Sequence, residues 1–299
     1  MMRAIKYKIM RVPCKLKLTA VGLATFSAVF TSSVYAGVDE ALLAYEQKNY
    51  GVAIQEFRAL AQQGDSRAQL VLGVMYEYGK GVPIDYKQAA AWYQKAAEQG
   101  FSSAQFNLGA MYTRGQGVPK NHIQAAAWYL KAAEQGAIDA QYNLGLMYAK
   151  GHGVPMDYKQ AAAWYLKAAE QGMLDAQYNL GVMYSNGQGV PQDYKQAAAW
   201  YLAASEQGAV DAQHNLGVLY EKGLGVTKNL VIAYALYEVC GTLKSLPVEN
   251  RNKFTKEMSV RQVQEAQALA RDFRRENGFN LSIEAYLKKH SEGANSHNQ

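Results

Sequence analysis

Cysteine is almost absent from the 299 residues, with only Cys14 and Cys240. A disulfide framework needs pairs, so none is expected. Proline is scarce too: there are six, and four of them, Pro83, Pro119, Pro155 and Pro191, fall at one fixed interval. No long apolar run exists. The stretch Leu18–Phe30 is apolar or small and uncharged, but a membrane span needs roughly 20 residues. An excess of one charge is also missing once position is considered. Of the 31 Lys and Arg, six (Arg3, Lys6, Lys8, Arg11, Lys15 and Lys17) lie in the first 36 residues, which hold no acid. The remainder balances its 25 Asp and Glu, so the pI near 9.0 is no argument for nucleic acid or an anionic membrane as partner.

Signatures of catalysis are missing as well. There is no G-x-S-x-G elbow, no S-x-x-K pair and no H-E-x-x-H helix. The histidines His122, His152, His214, His290 and His297 are scattered, with no pair at metal-ligand spacing, and no metal or cofactor is expected. The acids recur at helix caps or, like Glu134 and Glu170, on solvent faces, which argues for structure. An enzyme is not the expectation.

The basic N-terminal stretch, the short apolar run and Val34-Tyr35-Ala36 together read as a secretory signal peptide over residues 1–36, with the exported chain starting at Gly37. Cys14 precedes the apolar run, so a lipid anchor is not expected, nor is stable membrane insertion after cleavage. The expected location is periplasmic or secreted.

What is present is repetition. Gly64, Gly100, Gly136, Gly172 and Gly208 are evenly spaced, and so are Trp92, Trp128, Trp164 and Trp200. A fixed period of this size marks a solenoid, in which each repeat buries its apolar face against its neighbours. In the repeat Ala137–Gly172 the pattern predicts a first helix from about Ala140 to Lys150, with Ala140, Leu144, Met147 and Tyr148 on one face. Asp139 stands at its start as an N-cap or first-turn acid. Gly145 sits mid-helix at a cost of about 1 kcal/mol relative to alanine. Its equivalents Gly73, Gly109, Gly181 and Gly217 imply a neighbouring helix packed closely against it. Gly151-His152-Gly153 and Pro155 stop the helix. It lies after a helix and lacks a third glycine, so it is not read as a phosphate loop.

A second helix opens at Asp157 with Gln160 as a capping box, repeated at Asp85/Gln88, Asn121/Gln124 and Asp193/Gln196. It presents Ala161, Trp164, Tyr165, Ala168 and Ala169 as its buried side. Cys240 stands where other repeats have Ala168 and Ala204 and is read as a small buried residue, an intermolecular bridge being the alternative.

The runs A-Q-Y-N-L-G-L-M-Y at Ala140–Tyr148, G-H-G-V at Gly151–Val154 and D-Y-K-Q-A-A-A-W-Y-L-K-A-A-E-Q-G at Asp157–Gly172 resemble the Sel1-like repeats, relatives of the tetratricopeptide repeats. The resemblance implies an all-α fold, a right-handed α-solenoid superhelix of about five 36-residue helix-turn-helix repeats with helical caps, whose concave side binds other proteins. Five repeats are expected at 65–100, 101–136, 137–172, 173–208 and 209–244, between an N-terminal capping pair at 37–64 and C-terminal capping helices at 245–290. The fifth repeat is degraded, with Thr227 for the proline and Leu236 for the tryptophan. The first capping helix is expected from Asp39 to about Lys48. At the other end, Ser259 with Gln262 forms a further capping box, a short helix is expected from about Ser282 to Lys289, and 291–299 reads as a disordered tail. The cysteine-rich branch of the family is associated with penicillin hydrolysis, but this chain lacks the paired cysteines. A weak envelope hydrolase of β-lactamase type is therefore a distant alternative, and a structural subunit of an envelope assembly a nearer one.

If the first helix of each repeat lines the concave side, as the resemblance implies, the groove receives Phe106, Tyr142, Tyr178 and His214, then Asn107, Asn143, Asn179 and Asn215, and at the helix ends Arg114, Lys150, Asn186 and Lys222. The asparagines suit the backbone of an extended peptide, the aromatics its side chains and the cations an acidic group. Equally open is a reading in which the asparagines and tyrosines join neighbouring repeats. The expected activity is that of an exported, monomeric adaptor for a protein or peptide partner, not for nucleic acid.

Overall fold

The computed structural model describes residues 27–241, 254, 256–275 and 278–295, and every regular element among them is an α-helix. Two compact units result, residues 1–155 and 156–299, the division falling inside the third repeat. No helix among the described residues is long and apolar enough to cross a membrane.

The first unit contains α1 (Ser27–Glu46), α2 (Tyr50–Gln62), α3 (Ser66–Tyr78), α4 (Tyr86–Glu98), α5 (Ser102–Arg114), α6 (His122–Glu134) and α7 (Ile138–Lys150), each packed on the next. The second contains α8 (Tyr158–Glu170), α9 (Leu174–Asn186), α10 (Tyr194–Glu206), α11 (Val210–Lys222), α12 (Leu230–Val239), α13 (Val260–Phe273) and α14 (Phe279–Asn295). Helices α3, α5, α7, α9 and α11 open the repeats and are called A helices; α4, α6, α8, α10 and α12 are the B helices.

The caps follow from residue chemistry. Asp85, Asn121, Asp157, Asp193 and Asn229 accept hydrogen bonds from the backbone N–H groups two and three residues on, at 2.8–3.1 Å. Each cap is worth about 1 kcal/mol. The expected capping boxes are not completed at Asp85, Asn121 and Asp193. There the cap's own N–H donates to the carbonyl of Tyr76, Tyr112 or Tyr184 at the end of the preceding A helix, so the glutamine has no donor left to satisfy. At Ser259 and Gln262 the full box does form. Asp139 resolves as a first-turn acid: Ala137 holds the N-cap position of α7, and Asp139 is set favourably to the helix dipole.

Glycine controls the packing twice per repeat. A methyl group on Gly73, Gly109, Gly181 or Gly217 would stand 2.5–2.8 Å from the ring of Tyr93, Tyr129, Tyr201 or Tyr237 on the paired B helix. The mid-helix glycine is therefore the slot for a buried tyrosine. In the glycine pair after each A helix, the first residue ends the helix in the left-handed conformation, as at Gly115 (φ 71°), and the second packs on the previous repeat. A Cβ on Gly117, Gly153, Gly189 or Gly225 would overlap the backbone of Tyr86, His122, Tyr158 or Tyr194, the first residue of the preceding B helix.

Between repeats, buried glutamines act as staples. Gln69, Gln105, Gln141 and Gln177 are only 4–7% exposed, and each donates through Nε2 to the carbonyl of Ala61, Ala97, Ala133 or Ala169 at 3.1–3.2 Å, joining an A helix to the helix before it. Gln99, Gln135 and Gln207 in turn donate to the Oε1 atoms of Gln69, Gln105 and Gln177 at 2.8 Å. Buried amides so satisfied on both sides rigidify the stack.

Several expectations meet a different structure. Ala161, Trp164, Tyr165, Ala168 and Ala169 are buried as expected, but the equivalent Trp92, Trp128 and Trp200 are half-buried. The indole is amphipathic and lies at the rim, where Lys95, Lys131 and Lys167 place their ammonium groups 4.1, 4.2 and 3.9 Å from the ring centres of Trp92, Trp128 and Trp164. Cys240 is the C-cap of α12 and half-buried, because that helix stops at Val239 rather than continuing to the position where the other B helices end. At the N-terminus α1 starts at Ser27, not Asp39, with no proline to interrupt it; of the stretch read as a signal peptide, residues 1–26 lie outside the described residues and 27–36 form the first turns of α1. At the C-terminus α14 runs from Phe279 to Asn295, through part of the stretch read as a tail, and 296–299 lie outside the described residues.

The end of the second unit is closed by aromatic packing. Phe254 meets Tyr234 and Tyr237 edge-on at 6.2 and 5.7 Å, while Ala266, Leu269, Ala270 and Phe273 of α13 join the same core. Glu206 of α10 accepts the backbone N–H of Asn280 and so ties down the start of α14.

Candidate functional site

Each A helix carries one half-exposed face beside its buried stripe. On α5 the face holds Phe106, Asn107, Thr113 and Arg114; on α7, Tyr142, Asn143 and Lys150. In the second unit it holds Tyr178, Asn179, Ser185 and Asn186 on α9, and His214, Asn215, Glu221 and Lys222 on α11. Helical spacing of three, four and seven residues puts these side chains on one side.

Behind the face lies a row of tyrosine hydroxyls from the B helices. Tyr93 donates to the Glu77 carboxylate at 2.6 Å, and Tyr237 to Glu221 at 2.8 Å. At the equivalent places Thr113 and Ser185 bring their hydroxyls to 3.5 and 3.4 Å from those of Tyr129 and Tyr201. Burial raises the pKa of the Tyr93 phenol well above its ordinary value, and the nearby Glu77 carboxylate adds to the effect. Tyr237 is pushed up by burial and by Glu221. Tyr129 and Tyr201 are raised by burial, with hydrogen bonds from Thr113, and from Ser185 and Asn215, acting the other way. The phenols therefore stay neutral, Tyr93 and Tyr237 as donors, Tyr129 and Tyr201 as acceptors from Thr113 and Ser185.

The asparagines divide. Asn107 hydrogen-bonds the Tyr93 hydroxyl, and Asn215 that of Tyr201, in each case a tyrosine of the previous repeat. Asn143 instead donates to the carbonyl of Asp139 in its own helix at 2.7 Å. At 107 and 215 the asparagine thus reaches a neighbouring repeat, and at 143 its own helix. The aromatics also pack: Phe106 on Tyr129 at 5.6 Å, Tyr178 on Tyr201 at 6.1 Å and His214 on Tyr237 at 5.4 Å between ring centres. All three remain half-buried.

The helix-end positions are the exposed ones. Arg114 lies 3.9 Å from Glu77 with over half of its side chain in water, a contact worth about 0–1 kcal/mol. Lys150, Asn186 and Lys222 are exposed, each in the last turn of its helix. A cation there is favoured by the helix dipole as well as being accessible.

One histidine pair escaped the sequence reading. His122 and His152 are not scattered: their rings stack at 5.4 Å with an interplanar angle of 24°, because the second glycine of each pair docks its loop on the start of the previous B helix. Among the described residues no group of three or more His, Cys, Asp or Glu converges. The tyrosine-hydroxyl row and the glutamine staples were also missed. Their signal was in plain view, since the glutamine following the buried alanine recurs at 69, 105, 141, 177 and 213 inside an otherwise apolar stripe.

Comparison with known proteins agrees with this architecture. A family model described as the Sel1 repeat matches residues 66–101, 102–136, 138–173, 174–208 and 210–238, more than half of the chain. Among solved structures, a Sel1 repeat protein from Oxalobacter formigenes is 35% identical, with a TM-score of 0.65 over 69% of this chain and 88% of that one. The protein c5321, a protective antigen present in uropathogenic Escherichia coli strains and displaying an SLR fold, is 32% identical with a TM-score of 0.52. That likeness covers 88% of this chain and 64% of the E. coli protein. No curated protein matches.

Proposed function

The chain belongs to the Sel1 repeat family, whose α-solenoids mediate protein–protein interaction, and we propose that it is an exported, non-catalytic adaptor holding a peptide segment or protein partner on its A-helix faces. The observation that carries this reading is the division of labour along each face. Inner polar groups such as Asn107, Asn215 and the tyrosine hydroxyls are engaged within the fold, while the positions that differ between repeats, Arg114, Lys150, Asn186 and Lys222, stand in water. A surface that keeps its scaffold constant and varies its exposed tips is suited to selecting a partner. The aromatic edges of Phe106, Tyr178 and His214 add apolar contact, and the cations favour an acidic segment.

Export rests on the basic and apolar N-terminal sequence, and the resemblance to a protective antigen supports it. Catalysis is not part of the proposal: burial keeps the phenols neutral, and each acid next to them is engaged by a phenol as acceptor.

A photo-crosslinking amino acid in place of Asn186, on an A-helix end, tests this against the same group in place of the exposed Lys195 on a B helix. Crosslinking in the cell envelope of the native host should yield a discrete protein adduct at 186 and none at 195. Adducts only at 195, or at neither position, would contradict the assignment of the face.

A further inference from the structure

Each glycine pair lays the residue between its glycines over the first residue of the previous B helix, so five seams present five side-chain pairs. Four of them are Tyr50/Lys80, Tyr86/Gln116, Tyr158/Gln188 and Tyr194/Leu224, and in the first of these the ammonium sits 5.6 Å from the ring centre. The remaining seam, between the second and third repeats, pairs His122 with His152. His122 replaces a tyrosine that is constant in the other four seams, and the variable position facing it holds a second histidine only here; neutral imidazole nitrogens bind borderline transition metals.

From this seam we infer a two-imidazole binding site for a divalent transition-metal ion, Cu²⁺ or Zn²⁺, formed by His122 and His152. The backbone there is fixed. Gly153 packs against the carbonyl of His122, so the two ligands start from elements already in contact and little loop ordering is needed on binding. The rings lie 5.4 Å apart centre to centre. Two nitrogens sharing one ion at about 2.0–2.1 Å each are at most about 4.2 Å apart. The exposed His152 ring, on a loop, closes that distance by turning about its own side-chain torsions, which directs its lone pair toward His122. His122 is half-buried, and its Nδ1 is buried with no hydrogen-bond partner among the described residues, which leaves Nε2 as the nitrogen to ligate an ion. Solvent fills the other coordination positions. Cu²⁺ is expected to bind more tightly than Zn²⁺, following the general order for nitrogen ligands.

The competing explanation is that one aromatic pair has replaced another and the rings merely stack. The repeats themselves supply substitutions that separate the two: His152→Gln installs the residue at Gln116 and Gln188, and His122→Tyr the residue at Tyr86, Tyr158 and Tyr194. Both variants should fold, as circular dichroism will show. Titration of the full chain with CuCl₂ and ZnCl₂ at pH 7.5, by calorimetry, should show a site of one ion per chain. Each variant should bind about tenfold or more weakly. In proton NMR, substoichiometric Cu²⁺ should broaden the imidazole signals that vanish in the two variants before those of the other histidines. Absence of binding in the wild type, equal affinity in a folded variant, or first broadening at other histidines would each overturn the site and leave stacking alone.

Discussion

Two rows of amides run along the same A helices, two residues apart, and behave differently. The glutamines at 69, 105, 141 and 177 are buried and make the same bond to the previous helix every time. The asparagines at 107, 143, 179 and 215 are half-exposed, and their bonds differ from repeat to repeat: to Tyr93 at 107, to the backbone of Asp139 at 143 and to Tyr201 at 215. Both rows repeat equally well in sequence. Burial, not recurrence, separates a group that holds the solenoid together from one that is free to change partners.

Substitution will sharpen the contrast. Gln177→Ala should have the largest effect, because it removes a buried side chain together with its bond to the Ala169 carbonyl and the bond it accepts from Gln207. A loss of about 3 kcal/mol is expected in urea unfolding, from two hydrogen bonds at about 1 kcal/mol each and the cavity left by the buried side chain. Gly181→Ala should follow at about 1–3 kcal/mol, since its methyl would press into the Tyr201 ring. Asn215→Ala, which removes one half-exposed bond, should cost about 1 kcal/mol by the same measurement. If Asn215→Ala proved as damaging as Gln177→Ala, the two rows would not differ in kind.

Alkaline pH probes the tyrosine row behind both. The folded phenols of Tyr93, Tyr129, Tyr201 and Tyr237 have pKa values raised above the unfolded value of 10.0 by burial first. The stabilisation of a group raised in this way is complete below pH 10 and is lost as pH climbs through and beyond it. The thermal midpoint should therefore be flat from neutral pH to about 9 and fall steeply above 10. In Tyr93→Phe that fall should be shallower. Lys222→Ala should have the smallest effect of all, within about 0.5 kcal/mol, because the side chain is exposed and touches nothing that the fold requires.

Much of this was legible from sequence. The period, the helix pair, the mid-helix glycine as a packing slot and the glycine pair as a helix stop all follow from local rules, and the structure adds only that each slot is filled by a tyrosine ring. Less legible was any contact between residues some thirty positions apart. The bond from Gln135 to Gln105 and the His122/His152 stack depend on how one repeat lies over another, and no spacing within a repeat encodes that. The tryptophans misled for a related reason. A large aromatic at helical spacing reads as core, whereas a lysine one turn on makes a half-exposed indole stable at the rim. For the candidate face, the sequence named the positions but not their engagement: Asn107 and Asn215 belong partly to the scaffold, and the helix ends are the positions that stay exposed.

The central claim is that the exposed tips of the A helices choose the partner while the rows behind them hold the frame. Its most direct test is the affinity of the crosslinked partner for the wild-type protein, for Asn186→Ala/Lys222→Ala and for Lys195→Ala, with circular dichroism confirming that all three are folded. The account predicts about tenfold weaker binding for the A-helix pair, corresponding to roughly 1.4 kcal/mol, and no change for Lys195→Ala. Unchanged binding in Asn186→Ala/Lys222→Ala together with loss in Lys195→Ala would contradict it.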